Sequence, residues 1–418
     1  SDDLTRNDPE KLKSSGGPIT QDNTGVEYYC TLFAGMESPY EEGLMWVASD
    51  DGLIHVSKDG GANWSDVTPK GVPEWMMWNS VDPDPFNDGG AYVAGTRYKL
   101  GDYEPYLYHT KDYGKTWTKI TNGIADDHFT RVVRADPDRE GLLYAGTETG
   151  MYISFDNGKN WKSFQLDLPI VPITDLTIKN DNLVVATQGR SVYIIDDLTV
   201  LHQVDPAMAE KDFQLYQPMP SYRMSGGGRP GSLTAGTNHP GGVMVNFFLK
   251  EEPTKEDEVI ISFHEPDGDL IKSFSSKSKE RSTQIRDLKA GGNTFNWNMR
   301  YSDATDFDGM IMWAASMAGP MAVPGKYTVK MTMNGESQEQ EFEILKDPRS
   351  ETDMDGFQEQ FDFLIAVRDK VRKGANAVVA ARNGRFITHL GWVDTAIKGL
   401  LSGGECGFTC FRIDWSSS

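Results

Sequence analysis

Several charged residues in the first half of the chain could take part in hydrolysis. Asp127 and His128 are neighbours, and a histidine can serve as a general base when it reaches the proton that it removes. Two carboxylates can instead act as the acid and base of a glycosidase, and Asp50, Glu74 and Glu148 are candidates for such a pair. The set of candidate catalytic residues is therefore His128, Asp127, Glu148 and Arg190.

Other side chains near these positions combine charges with aromatic rings and could bind a polar ligand. The candidate substrate-binding residues are Asp50, Glu74, Trp75, Arg97, Tyr98 and Gln188. The sequence contains no His-x-x-x-His motif, cysteine cluster or serine elbow. We therefore predict no cofactor, and a divalent metal would have to bind without a recognisable ligand motif.

A repeated turn motif must position these residues. The pattern Ser/Thr-x-Asp-x-Gly-x-x-Trp occurs at residues 57–64, 110–117 and 154–161. Its Asp can accept hydrogen bonds from N–H groups of the turn, its Gly permits a positive φ, and its Trp can fold back over the hairpin. These residues are predicted to be structural: Asp59, Trp64, Asp112, Trp117, Asp156 and Trp161.

Similar apolar segments flank each copy, and a fourth, decayed copy follows at residues 184–197. Each unit reads as four strands joined by turns, which is the pattern of a propeller blade. The fold class is therefore all-β, with a partial, four-blade β-propeller whose blades span residues 27–69, 74–121, 128–165 and 171–204. The loop entering the innermost strand and the loop between the second and third strands lie at the same end of a blade. All the candidate residues fall on these loops, around the channel mouth.

The three motifs, together with segments 4–10, 97–100, 105–114, 128–131 and 186–191, resemble the Asp-box (BNR) repeat propellers. That group includes sialidases, oligoxyloglucan hydrolases and the sortilin luminal domain. The likeness is greatest to the sortilin-like bacterial proteins that carry the label "glycosyl hydrolase", and the chain resembles the C-terminal portion of a longer member. The resemblance implies a protein outside the cell or in the periplasm.

Three interpretations of function remain open. The sortilin likeness implies a peptide or a glycan bound on the channel face, with hydrolase activity as an addition. The first alternative is a glycoside hydrolase that uses channel-face carboxylates. The second is a metal- or His-assisted ester or phosphoester hydrolase centred on His128.

The second half of the chain follows a different pattern. Residues 205–242 are rich in Gly and Pro and read as a connector, and residues 1–26 as an N-terminal extension. Alternating segments over residues 243–347 predict a β-sandwich, which resembles the immunoglobulin-like module of the same group. Near-helical spacing predicts a helix within residues 348–373. The tail, residues 374–418, departs from the family pattern and is expected to be non-native.

Composition limits the partners. The formal net charge is −21, from 62 acidic and 41 basic residues, which argues against nucleic acid. No apolar run approaches the ~20 residues that a membrane helix needs, so we predict no membrane insertion. Four blades are few for a propeller of this group, and the terminal blades would expose apolar faces. We therefore predict a homodimer through propeller blades.

Overall fold

The computed structural model describes residues 3–10, 30–224, 236, 240–311, 313 and 315–382. Outside the described residues lie most of the N-terminal extension, most of the glycine-rich part of the connector and the tail beyond 382, which includes Cys406 and Cys410. The chain divides into two compact units, with the boundary between Met219 and Pro220. Among the described residues, neither α-helix combines the length and the apolar character needed to cross a bilayer.

The first unit is a row of four antiparallel sheets, the blades. Blade 1 comprises β1 (Leu32–Glu37), β2 (Met45–Ser49), β3 (Ile54–Ser57) and β4 (Ser65–Asp66). Blade 2 comprises β5 (Met77–Pro83), β6 (Ala91–Arg97), β7 (Asp102–Thr110) and β8 (Thr118–Lys119). Blade 3 comprises β9 (Thr130–Ala135), β10 (Leu143–Thr147), β11 (Met151–Ser154) and β12 (Lys162–Ser163). Blade 4 comprises β13 (Ile173–Lys179), β14 (Asn182–Thr187) and β15 (Val192–Ile195). The prediction of a partial Asp-box propeller is confirmed.

Blade 4 has three strands, whereas the other blades have four. Its Asp-box motif has decayed: Asp197 adopts a positive φ of 62° two residues after β15, and α1 (Thr199–Gln203) follows. Beyond α1 come a 3-10 turn, Pro206–Glu210, and the short strand β16 (Phe213–Leu215). The outer edge of β15 therefore lacks the short fourth strand that closes each earlier blade.

The apolar core of this unit lies between the blades. Strand alternation gives each sheet two faces, so Trp46 and Val56 of blade 1 pack with Trp78 and Val93 of blade 2. Equivalent clusters join blade 2 to blade 3 and blade 3 to blade 4. We call the side of a blade toward the following blade its far face, and the opposite side its near face.

The three Asp boxes share one hydrogen-bond pattern. Asp112 Oδ1 accepts from the backbone N–H of Thr116 at 2.9 Å and from the Thr110 hydroxyl at 2.9 Å. The second oxygen accepts from the Thr116 hydroxyl at 2.7 Å. Asp59 and Asp156 make the equivalent bonds in their own turns. The three box aspartates thus bond within their own turns, and their structural role stays a prediction.

The second unit contains two packed sheets. Its strands are β17 (Ser221–Arg223), β18 (Val243–Leu249), β19 (Val259–His264), β20 (Leu270–Ser275), β21 (Gly291–Trp297), β22 (Gly325–Met333) and β23 (Glu336–Lys346), with a 3-10 turn at Arg281–Thr283. One sheet has the order β17-β23-β22-β19-β20, and β18 pairs with β21 in the other. The rings of Phe263 and Trp297 stack at 4.2 Å between the sheets. The sandwich is therefore present, and its immunoglobulin-like topology stays a prediction.

Two predicted boundaries were wrong. The interval 205–242, predicted as a connector, contains β16 and β17, and β17 pairs in parallel with β23. Helix α2 runs over Met354–Arg382, nine residues beyond the predicted end at 373 and into the predicted tail. Gly374 does not end it, because the alanines that follow favour a helix and Ala375 is buried. Its start is capped by Asp353, whose side chain accepts from Gly356 N at 2.8 Å.

Candidate functional site

A repeated contact gathers the predicted loops at one end of the first unit. The backbone N–H of Asp50 donates to Thr31 O at 3.0 Å, and the N–H of Glu148 donates to Phe129 O at 3.1 Å. Gln188 makes the same bond to Pro172 O in blade 4. In each case the loop between the second and third strands is tied to the loop entering the first. We call the end of the blades that carries these loops the channel face.

Aromatic rings and charges meet on the channel face between blades 2 and 3. Tyr98 stacks on Phe129 with ring centroids 5.2 Å apart, and Tyr103 lies against the same ring at 6.0 Å. The guanidinium of Arg131 lies 5.3 Å from the Phe129 ring and donates to Glu148 at 2.7 Å. Phe129 is buried and Tyr103 is 52% exposed. We call these five side chains the aromatic platform.

Arg97, the residue before Tyr98 in the chain, supports the aromatic platform. Its Nε donates to Glu74 O at 2.9 Å, and its guanidinium forms an ion pair with Asp102. Burial alone would raise the pKa of Asp102, but hydrogen bonds from the Tyr106 hydroxyl, the Glu104 N–H and the Arg97 guanidinium lower it below its usual range. Arg97 therefore orders the loop that carries Tyr98.

Asp50 lies inside its loop. It is 9% exposed, and its Oδ1 accepts from Thr31 N at 2.8 Å. Burial raises the pKa of this carboxyl. The neighbouring Asp51 is also buried and accepts from the backbone N–H of Arg6 at 2.6 Å. Cys30 precedes β1 with a φ of 69°, and burial raises the pKa of its thiol to about 11.

The remaining candidates are spread along the channel face. His128 Nδ1 lies 2.8 Å from the Tyr152 hydroxyl, and Asp127, 86% exposed, lies 3.9 Å from His128 Nε2. Glu74 is exposed, and Trp75 is half-buried with a φ of 63°. Gln188 and Arg190 are exposed on blade 4. The structure thus brings Tyr98 together with Glu148 through Arg131, which was not in the predicted set.

A second charged cluster lines the innermost strands. Arg134 of β9 donates to Ser80 of β5 at 2.8 Å, to Asp175 of β13 at 2.7 Å and to Leu176 O at 2.6 Å. Asp82 lies 3.7 Å from the same guanidinium. Burial raises the pKa of Asp82 to about 6, against the opposing effect of Arg134. The sequence does not reveal this cluster, because its members lie on three different blades, and the partners of Arg134 are 41 to 54 residues away from it.

The opposite end of the blades carries histidine–carboxylate contacts. The side-chain atoms of Asp136, Asp138 and His202 that could bind a metal ion all lie within 4.8 Å of one another. Blade 2 makes the same kind of contact between Asp84 and His109 at 2.8 Å without a second carboxylate. We therefore regard the contact as part of the fold. This contact lies at the end of the blades opposite the channel face, whereas the predicted His128 site lies on the channel face.

The fold and the turns define the class of protein. The family described as the BNR/Asp-box repeat matches residues 152–163, which include most of the third Asp box. The chain thus carries Asp-box repeats on the blades of a partial β-propeller. The finer sortilin-like assignment stays a prediction.

Two curated proteins are similar to part of this chain, and both are named as enzymes. An oligoxyloglucan-reducing end-specific xyloglucanase from Emericella nidulans is 32% identical over 121 residues, 27% of this chain and 14% of that protein. A probable enzyme of the same name from Neosartorya fischeri is 30% identical over 128 residues, 28% of this chain and 15% of that protein. The chain therefore spans about one seventh of the length of the curated relatives it matches.

A solved GH74 enzyme from Niastella koreensis is 13% identical, with a TM-score of 0.33 over 57% of this chain and 37% of that one. The two curated relatives are named as hydrolases of a glycan. The names of these two relatives agree with the glycoside hydrolase alternative at a coarse level.

Proposed function

We propose that this chain is part of a glycoside hydrolase and that its channel face binds a glycan between blades 2 and 3. The observation that carries the proposal is the aromatic platform. Tyr103 offers a half-exposed ring beside the stacked Tyr98 and Phe129. Sugar rings have an apolar face that packs on aromatic rings, while Arg131 and Glu148 offer hydrogen-bond partners for hydroxyls.

The charge of the chain agrees with an uncharged ligand. At a formal net charge of −21, the protein repels polyanions at long range and leaves neutral polymers unaffected. The names of the two curated relatives point to xyloglucan-type oligosaccharides as the first ligands to test. We place the protein outside the cell or in the periplasm, where such polymers are met.

Hydrolysis would need two carboxylates on opposite sides of the scissile bond, about 5–9.5 Å apart. Glu148 is the candidate whose position is best fixed, because Arg131 holds its carboxylate at 2.7 Å. Glu74 and Asp127 are exposed carboxylates on neighbouring loops and are the candidates for the partner. His128 and Arg190 complete the set of residues to be tested.

Binding can be tested by titrating the whole chain with xyloglucan oligosaccharides in a calorimeter. Tyr103→Ala removes the exposed ring and should weaken binding about tenfold, which is ~1.4 kcal/mol. Tyr40→Ala is the matched control, since Tyr40 is 53% exposed and lies in the turn between β1 and β2, at the opposite end of blade 1. Equal affinities for both variants would place the glycan elsewhere, and binding of peptides but not glycans would restore the sortilin-like interpretation.

Hydrolysis can be tested by the release of reducing sugar from the same oligosaccharides. Glu148→Gln, His128→Ala and Arg190→Ala should each lower the rate at least tenfold, about 1.4 kcal/mol in barrier height. Glu104→Gln is the control, because Glu104 is an exposed carboxylate paired only with Lys119. Unchanged rates in all three variants would contradict the assignment of these residues.

A further inference from the structure

The hydroxyl of Tyr152 connects both ends of the turn that carries His128. Its oxygen accepts from the backbone N–H of Ala125 at 3.4 Å and lies 2.8 Å from His128 Nδ1. The backbone N–H of His128 closes the same turn by donating to Ala125 O at 3.0 Å. Tyr152 is 7% exposed on the near face of blade 3, where it packs in the cluster shared with blade 2. One buried side chain therefore fixes the position of His128 on the channel face.

The hydrogen bonds of this hydroxyl determine which ring nitrogen of His128 carries the hydrogen atom. A tyrosine hydroxyl has one hydrogen to donate, and its oxygen can accept. The N–H of Ala125 already donates to that oxygen. If Nδ1–H donated to it as well, the hydroxyl hydrogen would have no acceptor among the residues that the structure describes, and a buried donor without an acceptor costs free energy. The hydroxyl therefore donates to Nδ1, and Nε2 carries the hydrogen of the neutral ring.

Asp127 favours the same arrangement of hydrogen. Its Oδ1 lies 3.9 Å from His128 Nε2, which is too far for a hydrogen bond but close enough for a carboxylate to favour hydrogen on the nearer nitrogen. The rings of His128 and Tyr152 meet edge to face with centroids 5.9 Å apart, which keeps the imidazole beside the phenol. Two neighbours, one at each ring nitrogen, thus favour a single tautomer.

We propose that Tyr152 is a positioning residue that holds His128 in the tautomer with hydrogen on Nε2, and that this N–H donates a hydrogen bond to an oxygen of the bound glycan. The side chain of His128 is 31% exposed, and Nε2 has no hydrogen-bond partner within the described part of the chain. The next residue in the sequence is Phe129 of the aromatic platform. The role toward the glycan rests on the proposed function, whereas the tautomer is a property of the free chain.

This tautomer gives His128 a different role from the predicted general base. A general base accepts a proton through a nitrogen lone pair within reach of the substrate. With hydrogen on Nε2, the lone pair is on Nδ1, and the Tyr152 hydroxyl already donates to it. His128 therefore recognises a sugar oxygen as a donor, and the ester or phosphoester hydrolysis centred on His128 would lack its base.

Nitrogen-15 NMR of the full chain measures the tautomer without any ligand. A ring nitrogen that carries hydrogen resonates at a clearly different frequency from one that does not, and His128→Gln identifies the signals of His128 among the seven histidines. At about pH 8, where the neutral form of an ordinary histidine predominates, His128 should show hydrogen on Nε2 alone. Tyr152→Phe removes the hydroxyl, so the tautomer with hydrogen on Nδ1 should appear beside it.

Tyr193→Phe is the matched control. Tyr193 lies on the third strand of blade 4 opposite Val185, as Tyr152 lies on the third strand of blade 3 opposite Ala145. Its hydroxyl makes no hydrogen bond to any described residue, so its removal should leave the signals of His128 unchanged. Hydrogen on Nδ1 in the wild-type chain, or wild-type tautomer populations in a folded Tyr152→Phe variant, would overturn the proposal.

Calorimetric titration with xyloglucan oligosaccharides tests the donor role. His128→Ala removes one hydrogen bond to the glycan and should weaken binding about fivefold. His128→Gln supplies an amide N–H of similar reach and should weaken it only about twofold, although an amide cannot serve as a base. Equal losses in the two variants would overturn the donor role. A wild-type chain that binds no oligosaccharide but shows the expected tautomer would contradict the proposed function and the donor role together. Hydrogen on Nδ1 in a chain that binds the glycan would overturn the role of Tyr152 alone.

Discussion

The charged side chains of the channel mostly complete the hydrogen bonding of strand edges. An innermost strand has a partner on one side only, so its other edge carries unpaired N–H and C=O groups. Asp82 accepts from Ala135 N at 2.8 Å, and Arg134 donates to Leu176 O at 2.6 Å. Asp50 does the same for Thr31 N. A carboxylate near the channel is therefore not in itself a sign of catalysis.

Asp82 should make stability depend on pH. Its pKa in the folded chain is about 6, above the usual 3.8, because burial disfavours the charged form. The folded state thus binds this proton more tightly than the unfolded chain does, and the contribution to the free energy of unfolding is lost as pH rises through about 6. At pH 7.5 the free energy of unfolding of Asp82→Asn should therefore exceed that of wild type by on the order of 1–3 kcal/mol. Near pH 4 this gain should disappear.

Thermal melts at both pH values measure this difference. Asp175→Asn is the control for the loss of a charge beside Arg134, because Asp175 contacts the same guanidinium but is 63% exposed. A difference between Asp82→Asn and wild type that is the same at both pH values would show that the proton on Asp82 does not contribute.

The Asp boxes could be predicted from sequence because all their bonds are local. Asp112, Thr110 and Thr116 lie within seven residues, and the turn chemistry of these residue types is known in advance. The cluster around Arg134 could not be predicted, since its partners lie 41 and 54 residues away on other blades. Asp50 looked like a ligand residue because a sequence does not show which loop carboxylate turns inward.

At the scale of elements, the box tryptophans should differ in their effect on stability. Trp161→Phe removes a bond to the preceding blade from a residue that is 4% exposed, so it should cost roughly 1–2 kcal/mol. Trp64→Phe breaks a bond within its own turn and should change stability by roughly 0.5 kcal/mol or less. Urea unfolding of both variants measures the difference, and equal losses would mean that the bond between blades adds nothing.

Helix α2 offers a test of its continuation past Gly374. A Cβ at Gly374 would have nothing within 4 Å, so Gly374→Ala should stabilise the helix by about 0.5–1 kcal/mol. Gly356→Ala is the control, because its Cβ would lie 3.0 Å from Thr352 and 3.1 Å from Asp353 and the gain should be smaller. Thermal melts decide the matter, and a loss of stability in Gly374→Ala would show that the helix does not run through this residue.

Elements were predicted well where one strong period controls them. The pattern of residues 243–249 predicts the limits of β18, since this strand buries every second side chain in the sandwich. The predicted end of α2 fell short because the residues after Gly374 continue the helix through the propensity of their alanines and not through an apolar spacing. Strands β16 and β17, three residues each, are too short to show a period.

At the scale of the whole molecule, the formal net charge of −21 and the aromatic platform act on a ligand over different ranges. The field of the net charge acts at long range and is screened within about 10 Å at 0.1 M salt, whereas the ring contacts and hydrogen bonds of the platform act only on a ligand that already lies against it. A neutral oligosaccharide therefore experiences only the short-range contacts. Its dissociation constant in the calorimetric titration should change less than about twofold between 0.05 M and 0.5 M salt. A dissociation constant that rises many-fold with salt would mean that the ligand is held by its charge, and the proposed binding of a neutral glycan would then be wrong.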